Sequence, residues 1–198
     1  MTDAFLLVAG TRTPEVRHEI AADVPDPVIW LGRGDESIVW ASPLDLEPIS
    51  AAGAIGDVRS ADALGFMTLR REHPMPHVFG EMARRALEAE RVSVVRVPWD
   101  FPVQVADALR DAGIEITADA EAFAARRRAK REWELDGMRK ASAAAQAALL
   151  EAAALLRDEL DGLTCERIRE RMTAVLLANG AESEEVLIHA GAGMPQGH

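Results

Sequence analysis

The chain has 198 residues, 48% of them hydrophobic, and a formal net charge of −11. That length supports one or two globular domains burying roughly 70% of the unfolded surface, and the balanced composition excludes a disordered chain. There is no run of about 18 apolar residues and no basic stretch at Met1–Ala4, so neither a spanning helix nor a signal peptide is expected.

Strand and helix signals alternate through the first two thirds of the chain. Ala4–Ala9 is an apolar run closed by Gly10 and predicts a strand. Pro27–Leu31 and Ser37–Ala41 flank a glycine turn and predict a β-hairpin. Helices are expected at about 43–52 and 76–90. The second places Val78, Phe79, Met82, Ala83 and Ala86 on one face, with Pro76 tolerated in its first turn. Val92–Val97 predicts a strand. Asp100 is expected to cap a helix with Pro102 in its first turn and Val105 and Leu109 turned inward, ending at Gly113 before a strand over Ile114–Thr117. The pattern is α/β with a mixed sheet flanked by helices.

After Phe123 the character changes. Arg126–Arg131 leads into an alanine-rich segment in which Leu135, Met138, Ser142, Ala145, Leu149, Ala152 and Leu156 recur at spacings of three and four, predicting one long helix buried on that seam. A second helix is expected with Thr164 as N-cap, Ile168, Met172 and Leu176 buried, and Gly180 as a left-handed stop. Glu184–His189 then predicts a strand. A lone strand needs a partner in the first domain, in a second copy or in further chain. The domains expected are therefore 1–125 and 126–198.

Charge and cysteine content narrow the partners. Residues 1–125 hold 11 Arg against 21 Asp and Glu, an acidic surface that disfavours nucleic acid and anionic membrane. The single cysteine, Cys165, rules out an internal disulfide and fits a cytoplasmic protein. Only Lys130 and Lys140 are lysines, a bias of high-GC coding or a high-salt cytoplasm.

Several short motifs carry no chemistry. Arg33-Gly34-Asp35 sits in the hairpin turn, where Gly and Asp are ordinary. Gly191-Ala192-Gly193 lacks the third glycine and following helix of a dinucleotide site. His73 and His77 are four apart, but Pro74 and Pro76 keep them from being a metal pair on one helix, and a surface loop is expected. The basic run 126–131 lacks interleaved aromatics and reads as a linker or solvated helix start. His189 on a short strand is expected to be satisfied within the fold. No serine or cysteine stands in a nucleophile elbow.

The order of elements resembles the creatinase/prolidase group of metallopeptidases, which includes Xaa-Pro aminopeptidases. Phe5–Gly10, Val24–Leu31 and Val39–Asp45 are similar to the start of that group's N-terminal domain. Arg128-Ala129-Lys130 through Glu134-Leu135 and Met138-Arg139-Lys140-Ala141 resembles the R-x-K-x-x-x-E-[IL]-x-x-[MI]-R-x-A opening of its pita-bread catalytic domain. Asp161–Ile168, Asn179-Gly180-Ala181 and the glycine-rich ending follow in the same order.

The resemblance implies an N-terminal α/β domain, the first helix-helix-strand part of a pita-bread domain, and a parent enzyme that hydrolyses the bond before proline. It implies two divalent ions (Mn, Co or Zn), a peptide substrate with proline second, and a homodimer in which the N-terminal domain walls the active-site mouth. The ions would be held by two Asp, one His and two Glu and would activate a bridging water. All five ligands are expected downstream of residue 198, so residues 1–198 carry no metal ligand and are expected to be inactive alone. The one site residue carried over is His198, as a substrate contact, with Gln196 and Gly197 standing between Pro195 and the histidine. A creatinase-like amidinohydrolase and a non-catalytic α/β interaction or dimerisation module are the alternative readings.

Overall fold

The structure is a computed structural model and describes residues 4–158 and 162–182, with Val186 and Ile188. The chain divides into two compact units, Met1–Lys130 and Arg131–His198. The first is built on a six-stranded sheet of β1 (Ala4–Ala9), β2 (Val28–Arg33), β3 (Glu36–Ala41), β4 (Asp57–Ser60), β5 (Val94–Val97) and β6 (Glu115–Ala118), in the order β4-β3-β2-β1-β5-β6. β1 pairs antiparallel with β2 and parallel with β5; β2 and β3 are antiparallel, while β3–β4 and β5–β6 are parallel. The sheet is mixed, as the sequence predicts.

Alternation along β1 gives the sheet two buried faces. Ala4, Leu6 and Val8 join Leu31, Trp40 and Val95 beneath α3 (Phe66–Glu72), α4 (Met75–Ala89) and α5 (Val103–Asp111). Leu7, Val28, Trp30 and Val39 form the opposite core with Val16 of α1 (Pro14–Glu19), Ile49 of α2 (Leu46–Ala52) and Phe123 of α6 (Ala120–Arg128). α4 and α5 pack closely because Gly80 has no side chain: a Cβ there would lie 2.8 Å from that of Ala108.

Two sequence expectations for this unit change. Asp100 does not cap α5; Pro102 holds that position, and its carbonyl accepts from the Val105 and Ala106 N–H groups at 3.0 Å each. A proline lacks an N–H to donate, so the place just ahead of the helix suits it. Arg126–Arg128 is not a linker but the last turn of α6, within the first unit. α1, β4, α3 and α6, all short, are unmarked by periodicity. The β2–β3 turn is as predicted, with Gly34 at φ 59° as the first of two loop residues.

The second unit holds α7 (Glu132–Asp158) and α8 (Cys165–Ala178). α8 has the predicted ends. The Thr164 hydroxyl accepts from the Arg167 N–H at 3.2 Å, and Gly180 at φ 72° closes it, with the Ala181 N–H donating to the Leu176 carbonyl and the Gly180 N–H to that of Leu177. The predicted α7 seam is corrected. Ala144, Ala148 and Leu155 are the buried positions, whereas Met138, Leu149 and Leu156 are 57%, 63% and 50% exposed. The small alanines give α8 its close approach, a preference that spacing alone does not distinguish. The expected strand over Glu184–His189 lies outside the described residues, apart from Val186 and Ile188.

Candidate functional site

A recess with an apolar floor opens in the first unit between the start of β2, the end of β3 and the first turns of α3 and α4. It encloses about 420 Å³ against Ile29, Trp40, Phe66, Phe79 and Met82, with Asp26, Ser42 and Arg70 as its polar walls. A neighbouring hollow of about 240 Å³ shares Pro27, Met75 and Phe79 and continues toward Pro102 and Val105. Pockets of several hundred Å³ with apolar walls and a few polar groups are the usual form of small-ligand sites.

The recess owes its shape to two backbone anchors. Gly10 lets the chain pass so close to Pro25 that a Cβ would stand 2.4 Å from the Pro25 carbonyl oxygen. Next to it the buried Thr11 donates its N–H to the Val24 carbonyl at 2.8 Å and accepts the Val24 N–H on its hydroxyl at 2.8 Å. The segment leading to Asp26 is thus pinned to the end of β1. On the other wall the Arg70 guanidinium sits 6.0 Å from the Phe66 ring centroid. Burial and the nearby charge of Asp26 push the Asp45 carboxyl upward from its ordinary value, and that carboxyl makes no capping hydrogen bond to α2, although the Asp45 backbone carbonyl accepts from the Ile49 N–H at 3.1 Å.

A second charged cluster is structural. α1 turns Glu15 and Glu19 inward, and α6 answers with Arg127, 3.0 Å from Glu15, and Arg126, whose Nε and Nη2 reach one Glu19 oxygen at 3.0 and 2.8 Å. Arg126 also lies over the Phe5 ring at 4.8 Å and the Trp30 ring at 5.3 Å.

On α4, Glu81 accepts from Arg84 at 2.7 and 2.8 Å and from Arg85 at 2.8 Å, while Arg85 also donates to the Leu64 carbonyl at 2.9 Å. The Arg84 hydrogen bonds, opposed by burial and assisted by Arg85, hold the Glu81 carboxyl down at about 2. A folded value below the unfolded one contributes stability above about pH 4.5 that is lost as the pH falls toward 2. Glu81→Gln is therefore expected to lower stability at pH 6 by about 0.5–1 kcal/mol and to match the parent chain near pH 2. Urea unfolding at the two pH values checks this; an equal deficit at both contradicts it.

The sequence candidates fare differently. His198 and His189 lie outside the described residues, as does Gly191–Gly193. His73 is the capping residue just past α3, whereas His77 lies in the first turn of α4 and not in the expected surface loop, because Pro76 is tolerated in that turn; they share no helix, yet their rings approach to 4.2 Å between centroids. Among the described residues no group of three or more His, Cys, Asp or Glu could hold a metal ion. The described residues do not fit the ion pair that the resemblance implies. No described helix is long and apolar enough to cross a membrane. Asp26 and Arg70, the charged walls of the recess, carry no sequence signal; only the apolar face of α4 hints at them.

The chain has a creatinase/prolidase-like fold. It superimposes on the prolidase of Pyrococcus horikoshii OT3 with a TM-score of 0.64 at 18% identity, covering 91% of this chain and 46% of that one. The X-Pro aminopeptidase of Thermotoga maritima MSB8 gives 0.61 at 13% identity over 91% of this chain and 48% of that, and the Xaa-Pro dipeptidase of Bacillus anthracis 0.65 at 12% over 89% and 44%. The chain thus spans less than half the length of these structures. No protein-family model and no curated protein sequence matches it.

Proposed function

We propose that this chain is the N-terminal portion of a metal-dependent peptidase that cleaves the bond before proline. The observation that carries this reading is the extent of the fold likeness, 91% of the chain on a prolidase and on an X-Pro aminopeptidase. In this reading the first unit is non-catalytic, walls the mouth of the active site and takes part in a homodimer, and the second unit opens the catalytic domain. The substrate is a peptide with proline second, and His198 contacts it. Two divalent ions, Mn, Co or Zn, would supply Lewis acidity and an activated water at residues other than those described here.

Two measurements test the proposal. The gene downstream of codon 198 is expected to encode an Asp, Asp, His, Glu, Glu series, and its absence overturns the peptidase reading. The 198-residue chain, incubated with an Xaa-Pro peptide and each metal in turn, is expected to release no N-terminal residue. Metal-dependent release would show instead that residues 1–198 hold a complete site.

A further inference from the structure

Asp26 and Arg70 bear opposite charges on the walls of one apolar recess, and neither has an ion-pair partner among the described residues. We propose that this recess binds a short zwitterionic peptide with apolar side chains, its ammonium end on Asp26 and its carboxylate end on Arg70.

The wall chemistry selects that class. A lone anion meets Arg70 but also the repulsion of Asp26 and Asp45, and a lone cation meets Asp26 but also Arg70. A neutral hydrophobe would strip water from both charged walls without replacing it, at a cost that a partner charge offsets. A free-ended peptide satisfies both signs and lays its side chains against Phe66, Phe79 and Met82. The adjoining hollow of about 240 Å³ extends the apolar floor past Met75 and Phe79, giving room for a side chain beyond the first.

The site is also pre-formed. Thr11 and Gly10 fix the segment carrying Asp26, and the close Gly80–Ala108 contact fixes α4, so little ordering opposes binding. The site lies wholly in the first unit and does not rest on the peptidase reading.

Calorimetric titration of the 198-residue chain with L-leucyl-L-leucine at pH 7 and low salt tests the inference. One site is expected, with a Kd at or below about 1 mM. Acetylating the amino end and amidating the carboxyl end should each weaken binding roughly three- to tenfold. Asp26→Asn should erase the difference between free and acetylated peptide, and Arg70→Gln that between free and amidated peptide. Both side chains are exposed, so the variants should keep the parent unfolding midpoint; the capped peptides test the unaltered chain in any case. No saturable binding up to about 10 mM, or binding indifferent to both caps, overturns the proposal. So does a loss in the variants that is equal for free and capped peptides.

Discussion

Trp30→Ala is expected to lower the unfolding free energy of the first unit by about 3–5 kcal/mol. Trp30 is fully buried on the face of β2 that meets α1, α2 and α6, and its indole lies along the strand over Gly32. Two residues apart on a strand, they share a face, and the missing side chain of one makes room for the large side chain of the other. A Cβ at Gly32 would stand 2.3 Å from Trp30 Cη2 and 2.8 Å from Cζ2. Gly32→Ala alone should therefore cost about 1–3 kcal/mol through overpacking. In the Trp30→Ala background the same change should be neutral or stabilising, because the alanine methyl then fills part of the cavity. Urea unfolding of the four chains gives the coupling directly. Additive effects would mean that the indole does not occupy the space above Gly32.

Arg126→Ala is expected to cost about 2–4 kcal/mol, against the 0–1 kcal/mol usual for surface ion pairs. Glu19 is only 9% exposed, so the change strips a guanidinium from a carboxylate that water hardly reaches. The aromatic contacts with Phe5 and Trp30 are lost in the same step. Arg126→Lys keeps the charge but not the two N–H donors on one oxygen, and should fall between. The combination Arg126→Met with Glu19→Leu is expected to recover most of the loss, since a well-packed apolar pair avoids desolvating two charges. If the double variant is instead as unstable as Arg126→Ala, the ion pair itself supplies the stability.

Legibility followed local signal strength. The hairpin, the long α7, the Thr164 cap and the Gly180 stop were all readable because each depends on residues within a few positions of one another. α1 and α6 were not, since each is short and their meaning lies in pairing across the chain. Glu15 and Glu19 look like ordinary surface acids until Arg126 and Arg127 are known to face them. The buried stripe of α7 differs from the one its spacing predicts for a related reason. Alternate stripes of a helix rich in alanine have nearly the same hydrophobicity, and only the position of α8 decides which is covered. The recess was invisible for want of any motif, because Asp26 precedes β2 and Arg70 sits 44 residues later on α3.

The placement of β1 has a consequence during synthesis. Of the six strands of this sheet it is made before the other five, yet it lies inside the sheet between β2 and β5, with Phe5 opposite Arg96. β2 arrives within some thirty residues, but the other edge of Ala4–Ala9 waits for Val94–Val97, roughly 5–20 s later at ordinary elongation rates. For that interval an apolar, β-prone segment presents an open edge, the form most exposed to mispairing between neighbouring ribosomes. Translation speed over residues 34–97 should therefore govern the yield of soluble protein more than speed over the alanine-rich helix that follows.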